Sequence, residues 1–204
     1  MSRPVTEPLR IYLMRHGQTA WSVTGQHTGR TDIALTENGE AEAALLAPAL
    51  GAISWQHVFS SPLQRARKTC ELAGLGRQMQ VLEDLAEWDY GAYEGLRSVE
   101  IRERRAGWNI FEDGCPEGES AGQMTARIDG VIAYLRTLTG NVAVFAHGHV
   151  GGVLATRWLD LPLVETRHFP LATASISVLG SDPKHQDAPI MVAWNLTPGR
   201  GLTA

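Results

Sequence analysis

The sequence predicts an α/β fold, a three-layer sandwich in which a mostly parallel central sheet carries helices on both faces. Two observations lead there. Ile11-Tyr12-Leu13-Met14 and Val142-Ala143-Val144-Phe145-Ala146 are apolar throughout, as strands buried on both faces must be. Between such runs lie helix-capping signals, giving the alternation of a sheet covered on two sides. A chain of 204 residues holds one sizeable core and is short for two, so residues 1–204 are expected to form a single domain.

Residues 1–9 read as a loose arm, and Arg10 to Met14 as a first strand running into Arg15-His16-Gly17. Trp21 to Ala34 is polar, holds glycine and shows no periodicity, so it reads as a loop. Thr36 precedes Glu37 and Glu40 and reads as the N-cap of a helix with acids in its first turn. That helix carries Leu45, Leu46, Ala49 and Leu50 and should bend or shorten at Pro48. Val58-Phe59 is a short second strand. After it Ser61 reads as a cap, Pro62 as the first helical residue and Gln64 as the other half of a capping box. This helix should reach about Ala73 and stop at Gly74. Val81 to Leu85 reads as a further strand, while residues 97–119 mix dense charge with turn residues and predict no firm element. Ser120 and Gln123 form another capping box. The helix it opens places Met124, Ile128, Val131, Ile132, Leu135 and Leu138 on one face and ends at Gly140. Val142 to Ala146 delivers His147-Gly148-His149. A helix from about Val150 to Leu159 follows, then strands Ile176–Leu179 and Ile190–Trp194.

Composition narrows the function. A net charge of −4 and a pI near 6.0 argue against nucleic acid as a partner, so an anionic ligand must be drawn by a local basic pocket. No apolar run approaches the ~20 residues of a membrane span, and Met1 to Pro8 lacks the apolar stretch of a signal peptide. Cys70 and Cys115 have neither metal-ligand spacing nor a disulfide framework. A reduced, cytoplasmic setting is expected.

Arg15-His16, Arg65 and His147 all fall at carboxyl ends of predicted strands, where open α/β sheets place their ligands. Arginine offers a fixed fork for phosphate oxygens, histidine a nitrogen able to attack phosphorus near neutral pH, and Gly17 a close backbone approach. Taken singly, Arg65 and Arg67 read as surface charges. That reading weakens because strand–Ser-Ser-Pro–Arg repeats the layout of strand–Arg-His-Gly. His147 and His149 alternate as metal ligands on a strand would, but no third ligand has matching spacing and the arginines would repel a cation. His27, His57, His168 and His185 read as surface or structural. Among the acids only Glu87, in an aromatic stretch after a strand, sits where burial suits a proton donor; Glu83, Asp84, Asp89 and Glu94 read as surface acids.

These residues resemble the histidine phosphatases, also called the phosphoglycerate mutase-like superfamily. LMRHGQTAW followed by TGRTDIALTENGE is similar to that family's opening signature, SSPLQRARKT to its second arginine motif, EWDYGAYEG to its acid motif and FAHGHVGG to its second histidine motif. The four stand in the family's order across nearly the whole chain. RHGQTAWS, EWDYGAYEG and WNIFEDGCPEGES look closest to the sedoheptulose-1,7-bisphosphatase-type branch. The resemblance implies that His16 becomes a phosphohistidine, that Arg15, Arg65 and a protonated His147 bind the phosphoryl group, and that Glu87 donates the proton. It places Gly148 and Thr28-Gly29 in the pocket wall. Ser22 stands where many members have Asn, a shorter reach to a phosphate oxygen.

No metal or cofactor is expected, since cationic side chains neutralise the phosphate. The expected partner is a small phosphorylated metabolite, a sugar bisphosphate ahead of a monophosphate, acted on by a monomer or homodimer. Some of Arg30, Arg97, Arg102, Arg104 and Arg105 are candidates to hold a second phosphate, although for most of them pairing with Glu94, Glu100 and Glu103 on a solvated helix is the favoured reading. Within the family the alternative is a mutase returning the phosphoryl group to a sugar acid; the 59 residues between Glu87 and His147 are short for a mutase lid. Outside the family it is a non-catalytic phospholigand-binding module.

Overall fold

In the computed structural model, which describes residues 8–198, Pro8 and Leu9 are included and the rest of the expected N-terminal arm lies outside the described residues. Strand β1 (Arg10–Arg15) leads to a short helix α1 (Ala20–Thr24), inside the stretch read as a loop. Thr19 and Ser22 form its capping box, Ser22 Oγ accepting from the Thr19 N–H at 2.9 Å. Serine in place of Glu or Gln as the reciprocating residue hides this signal in the sequence. α2 (Glu37–Ala44) and α3 (Ala47–Gly51) divide the one helix expected after Thr36. Thr36 caps α2 as expected, accepting from the Gly39 N–H at 3.0 Å. Pro48 lies in the first turn of α3, where a missing N–H is tolerated, and its lack of a donor prevents α2 from continuing.

β2 (His57–Ser60) precedes α4 (Gln64–Leu72). The expected Ser61 capping box does not form. α4 begins at Gln64, whose N–H donates to Asp32 Oδ1 at 2.8 Å, while Ser61 Oγ is turned to His147 at 2.7 Å. β3 (Met79–Val81) comes earlier than the strand expected at Val81 to Leu85. Leu82 N–H bonds Ser60 O at 2.9 Å, and Glu83–Leu85 then form a 3-10 turn that buries Leu85. α5 (Ser98–Arg104) and α6 (Ile110–Asp113) occupy the charged segment. α7 (Ala121–Leu135) opens at the Ser120–Gln123 box. β4 (Asn141–Ala146), α8 (Gly148–Trp158), β5 (Ile176–Asp182) and β6 (Ala188–Leu196) complete the order.

The strands form one sheet in the order β3-β2-β4-β1-β5-β6. The first four run parallel, β5 runs antiparallel to β1, and β6 runs antiparallel to β5, the mixed but mostly parallel sheet expected. Period-two alternation divides the core. Ile11, Leu13, Val142 and Val144 pack with Ile128, Leu135 and Leu154 of α7 and α8; Met14, Val58, Ala143 and Phe145 pack on the other face with Leu46, Leu50 and Cys70. Arg15 pairs with Ala146, and Ser60 with Phe145, so β1, β2 and β4 end together at one edge.

Candidate active site

Because β1 and β4 end in register, His16 and His147 leave the sheet side by side, their rings 5.2 Å apart. His16 is 5% exposed. A carbonyl can only accept, so His16 Nδ1–H donates to Gly17 O at 2.7 Å, and Nε2 keeps its lone pair. Burial, then the guanidiniums of Arg15 and Arg65, hold its pKa well below the ordinary histidine value. The ring is a neutral nucleophile. Glycine is required at position 17, where a Cβ would come within 2.2 Å of Gly39 O.

Glu87 caps α8, whose N-cap residue His147 makes no side-chain cap bond. Its Oε1 accepts from the N–H groups of Trp88 and Val150 and its Oε2 from His149 N–H, each at 2.9 Å. Oε2, with one donor, has room for a proton. Arg15 Nη1 donates to Leu171 O at 2.5 Å, yet its Nε is buried without a partner. Leaving such a donor unmet costs about 1–3 kcal/mol, which an anionic oxygen would relieve. Gly148, the first residue of α8, sits against it: a Cβ there would lie 3.5 Å from Arg15 Cζ.

Arg65 is fully buried. It donates from Nε to His147 Nδ1 at 3.2 Å, from Nη1 to Thr31 O at 3.1 Å, and from Nη2 to Thr28 O at 2.9 Å and Gly29 O at 3.0 Å. One Nη1 N–H remains free of these bonds. Arginine only donates, so His147 Nδ1 is an acceptor and its Nε2–H donates to Ser61 Oγ at 2.7 Å. His147 is therefore neutral, its pKa pushed well down by burial first and Arg65 second. This corrects the expectation of a protonated His147: two neighbouring guanidiniums repel a third positive charge.

Arg15, His16, Ser22, Thr28, Glu87 and Gly148 line one cleft of about 370 Å³. Arg65 and His147 do not line it, and Gly29 faces a neighbouring hollow across Glu87. Gly29 is held by Glu94 Oε1, which accepts its N–H at 2.8 Å, and a Cβ on it would lie 2.3 Å from Trp88 O. Ser22 Oγ also donates to Thr19 O at 2.9 Å, so the α1 cap occupies its hydroxyl.

Among the cleft residues not expected in the site are His27, Tyr90, His149, Thr166 and Arg167. His27 is buried, and burial, followed by His149 and Arg102, lowers its pKa to about 3. Tyr90 Oη hydrogen-bonds His149 Nδ1 at 2.5 Å. His149 belongs to the first turn of α8, so it does not share a strand face with His147. Tyr90 and His149 lay within the motifs quoted above; His27 had no local signal. None of the five arginines considered for a second phosphate lines the cleft. Arg30 pairs with Asp89, Arg97 with Glu100 and Arg105 with Asp113, and Arg102 Nε donates to Trp108 O.

Among the described residues no three His, Cys, Asp or Glu side chains converge as metal ligands, and no helix is long and apolar enough to cross a membrane. A buried guanidinium short of a partner, next to an imidazole that cannot easily take a proton, calls for an anion that the imidazole can attack. Together with relatives that include proteins named acid phosphatase and sedoheptulose 1,7-bisphosphatase, this supports a phosphoric monoester hydrolase.

The chain belongs to the histidine phosphatase superfamily (branch 1), which it matches over residues 11–197. It is 42% identical over 175 residues to an acid phosphatase of Mycobacterium tuberculosis, covering 84% of this chain and 86% of the relative. A sedoheptulose 1,7-bisphosphatase of Saccharomyces cerevisiae is 35% identical over 184 residues, covering 74% of this chain and 68% of the relative. A Cronobacter sakazakii protein named "Probable phosphoglycerate mutase GpmB" is 33% identical over 179 residues, with 83% of each chain covered. The solved structure of the Mycobacterium tuberculosis open reading frame Rv3214 superposes with a TM-score of 0.87 at 39% identity, covering 93% of this chain and 98% of that one.

Proposed function

We propose that this enzyme hydrolyses small phosphorylated sugars, sugar bisphosphates among them, through a phosphohistidine at His16. One observation carries the reading. His16 is buried and neutral, with Nδ1–H held by Gly17 O and Nε2 free, next to an arginine whose Nε lacks a partner.

A phosphate monoester is dianionic and repels nucleophiles until its oxygens are neutralised. Arg15 Nε and the N-terminus of α8 at Gly148, both on the cleft, do this; Arg65 adds positive charge from behind the cleft wall, and His147, bonded to Arg65 and Ser61, packs beside the His16 ring. Thr28 and Gly29 act through their carbonyls, which hold Arg65 in place. Ser22 shapes the wall through α1. His16 Nε2 attacks phosphorus, forming a P–N bond as the ester P–O bond breaks, and Glu87 Oε2 passes a proton to the leaving oxygen. Water then attacks phosphorus and gives a proton to Glu87, and inorganic phosphate departs from a restored His16. Acid–base help of this kind is worth roughly 10²–10⁴-fold.

The relatives named acid phosphatase and sedoheptulose 1,7-bisphosphatase support hydrolysis of a sugar phosphate. The relative named a mutase supports a second reading, return of the phosphoryl group to a sugar acid. A panel of sugar mono- and bisphosphates plus 3-phosphoglycerate, assayed for inorganic phosphate and for 2-phosphoglycerate, separates them. Phosphate release without isomerisation is expected; isomerisation would favour the mutase, and neither product a non-catalytic phospholigand-binding module. Cys70 and Cys115, buried and unpaired, support a reducing, cytoplasmic setting.

A further inference from the structure

The cleft that holds His16 continues to a wall built from residues 166–171. This wall follows α8 as a 3-10 turn, Leu163–His168, and the extended stretch after it. It is fixed to the reacting centre, because Leu171 O accepts the 2.5 Å bond from Arg15 Nη1. It is also packed onto α8, where a Cβ on Gly152 would meet Thr166 Cγ2 at 2.9 Å.

Two side chains of this wall have polar groups that the fold does not fully use. Thr166 is 4% exposed and its Oγ1 has no hydrogen-bond partner. It shares that condition with Arg15 Nε, a residue of the same cleft. Arg167 has a side chain 54% exposed; it lies 3.7 Å from Glu165, and its Nε donates to His168 Nε2 at 3.1 Å. An ion pair that long and that wet holds the guanidinium weakly.

Charge decides which way a substrate extends from His16. Among the described residues, the charged lining of this cleft is Arg15, Arg167 and the single carboxylate Glu87. The hollow across Glu87 is larger, about 590 Å³, but adds Glu83, Asp84, Asp89 and Glu119. Its two arginines are already committed, Arg30 to Asp89 and Arg127 to Glu119. An anionic tail is repelled on that side and attracted on the other.

Resting on the phosphatase reading above, we infer that Arg167 determines specificity by binding a second anionic group of the substrate, phosphate or carboxylate, with Thr166 as the adjoining donor. The sequence points elsewhere, to arginines that lie outside the cleft, three of them paired with acids.

The test measures kcat/KM for fructose 1,6-bisphosphate, 6-phosphogluconate, fructose 6-phosphate and nitrophenyl phosphate in the wild type, Arg167→Ala and Arg167→Lys. The wild type should prefer one or both substrates with a second anion over fructose 6-phosphate. Arg167→Ala should shrink that preference about tenfold, chiefly through KM, and Arg167→Lys should restore part of it because a charge remains. Preference for the bisphosphate alone assigns a phosphate to the subsite; preference for 6-phosphogluconate alone assigns a carboxylate. If Arg167→Ala lowers all four substrates alike, or none, the proposal is overturned while the phosphatase reading stands. If the wild type releases phosphate from none of them, both fall.

Discussion

Glu87→Gln should cost the enzyme both stability and proton transfer, and the two losses can be read separately. In the folded enzyme the Glu87 carboxyl group accepts three backbone N–H bonds, two at Oε1 and one at Oε2. An amide keeps one accepting oxygen. With that oxygen in the Oε1 position, the new NH₂ group faces the His149 N–H, donor against donor. The His149 N–H is left without its acceptor, at a cost of about 1–3 kcal/mol. That loss lowers Tm by roughly 2–12 °C in a chain of this size. Proton donation is lost as well, so turnover of a sugar phosphate should fall by about 10²–10⁴. Nitrophenyl phosphate should suffer far less, because its leaving group departs without a proton. Thermal melts followed by circular dichroism give the first quantity; phosphate release well below both melting temperatures gives the second. An unchanged Tm would refute the capping argument. Equal loss on both substrates would refute the proton-donor role.

Gly17→Ala places a Cβ 2.2 Å from the Gly39 carbonyl oxygen. Neither backbone can yield freely, so a loss of about 2 kcal/mol or more is expected, together with most activity, since Gly17 O fixes the His16 tautomer; a wild-type melt and turnover would contradict this. Stability should also depend on pH in one direction. His16, His27, His147 and His149 all have pKa values below the ordinary 6.5 in the folded state, so below that pH the unfolded chain binds more protons. Stability present at pH 7 is therefore lost as pH falls from about 6.5 towards the depressed values, by up to ~1.4 kcal/mol per pH unit for each histidine. Urea melts between pH 7.5 and 5 should show a falling midpoint, and a flat profile would count against the buried neutral histidines. Over the same range His16 should stay neutral, so an NMR titration of its ring with a pKa near 6.5 would contradict the nucleophile's assigned state.

What could be read in advance was local. β1 and β4 announce themselves because residues such as Leu13 and Val144 are apolar on both faces, and α7 because Ser120 and Gln123 cap each other. The strand ends then place Arg15, His16 and His147 without any tertiary information. The partners that finish the site are distant in sequence. Asp32 starts α4 from a loop 32 residues earlier, and Glu87 caps α8 across 62 residues; no local pattern marks either. Arg97 and Arg105 stand near the acid motif yet turn to Glu100 and Asp113, whereas Arg167 reaches the cleft from beyond α8. His147 follows the same logic, since its charge is set by Arg65 at a separation of 82 residues.

The central claim is that phosphorus passes through a covalent bond to His16 Nε2. Enzyme mixed with substrate in the steady state and quenched in denaturant at alkaline pH should carry a base-stable, acid-labile phosphate. Peptide mass spectrometry should locate it on His16. Turnover by the wild type with no such label, label on another residue, or label that persists in His16→Ala would contradict the mechanism.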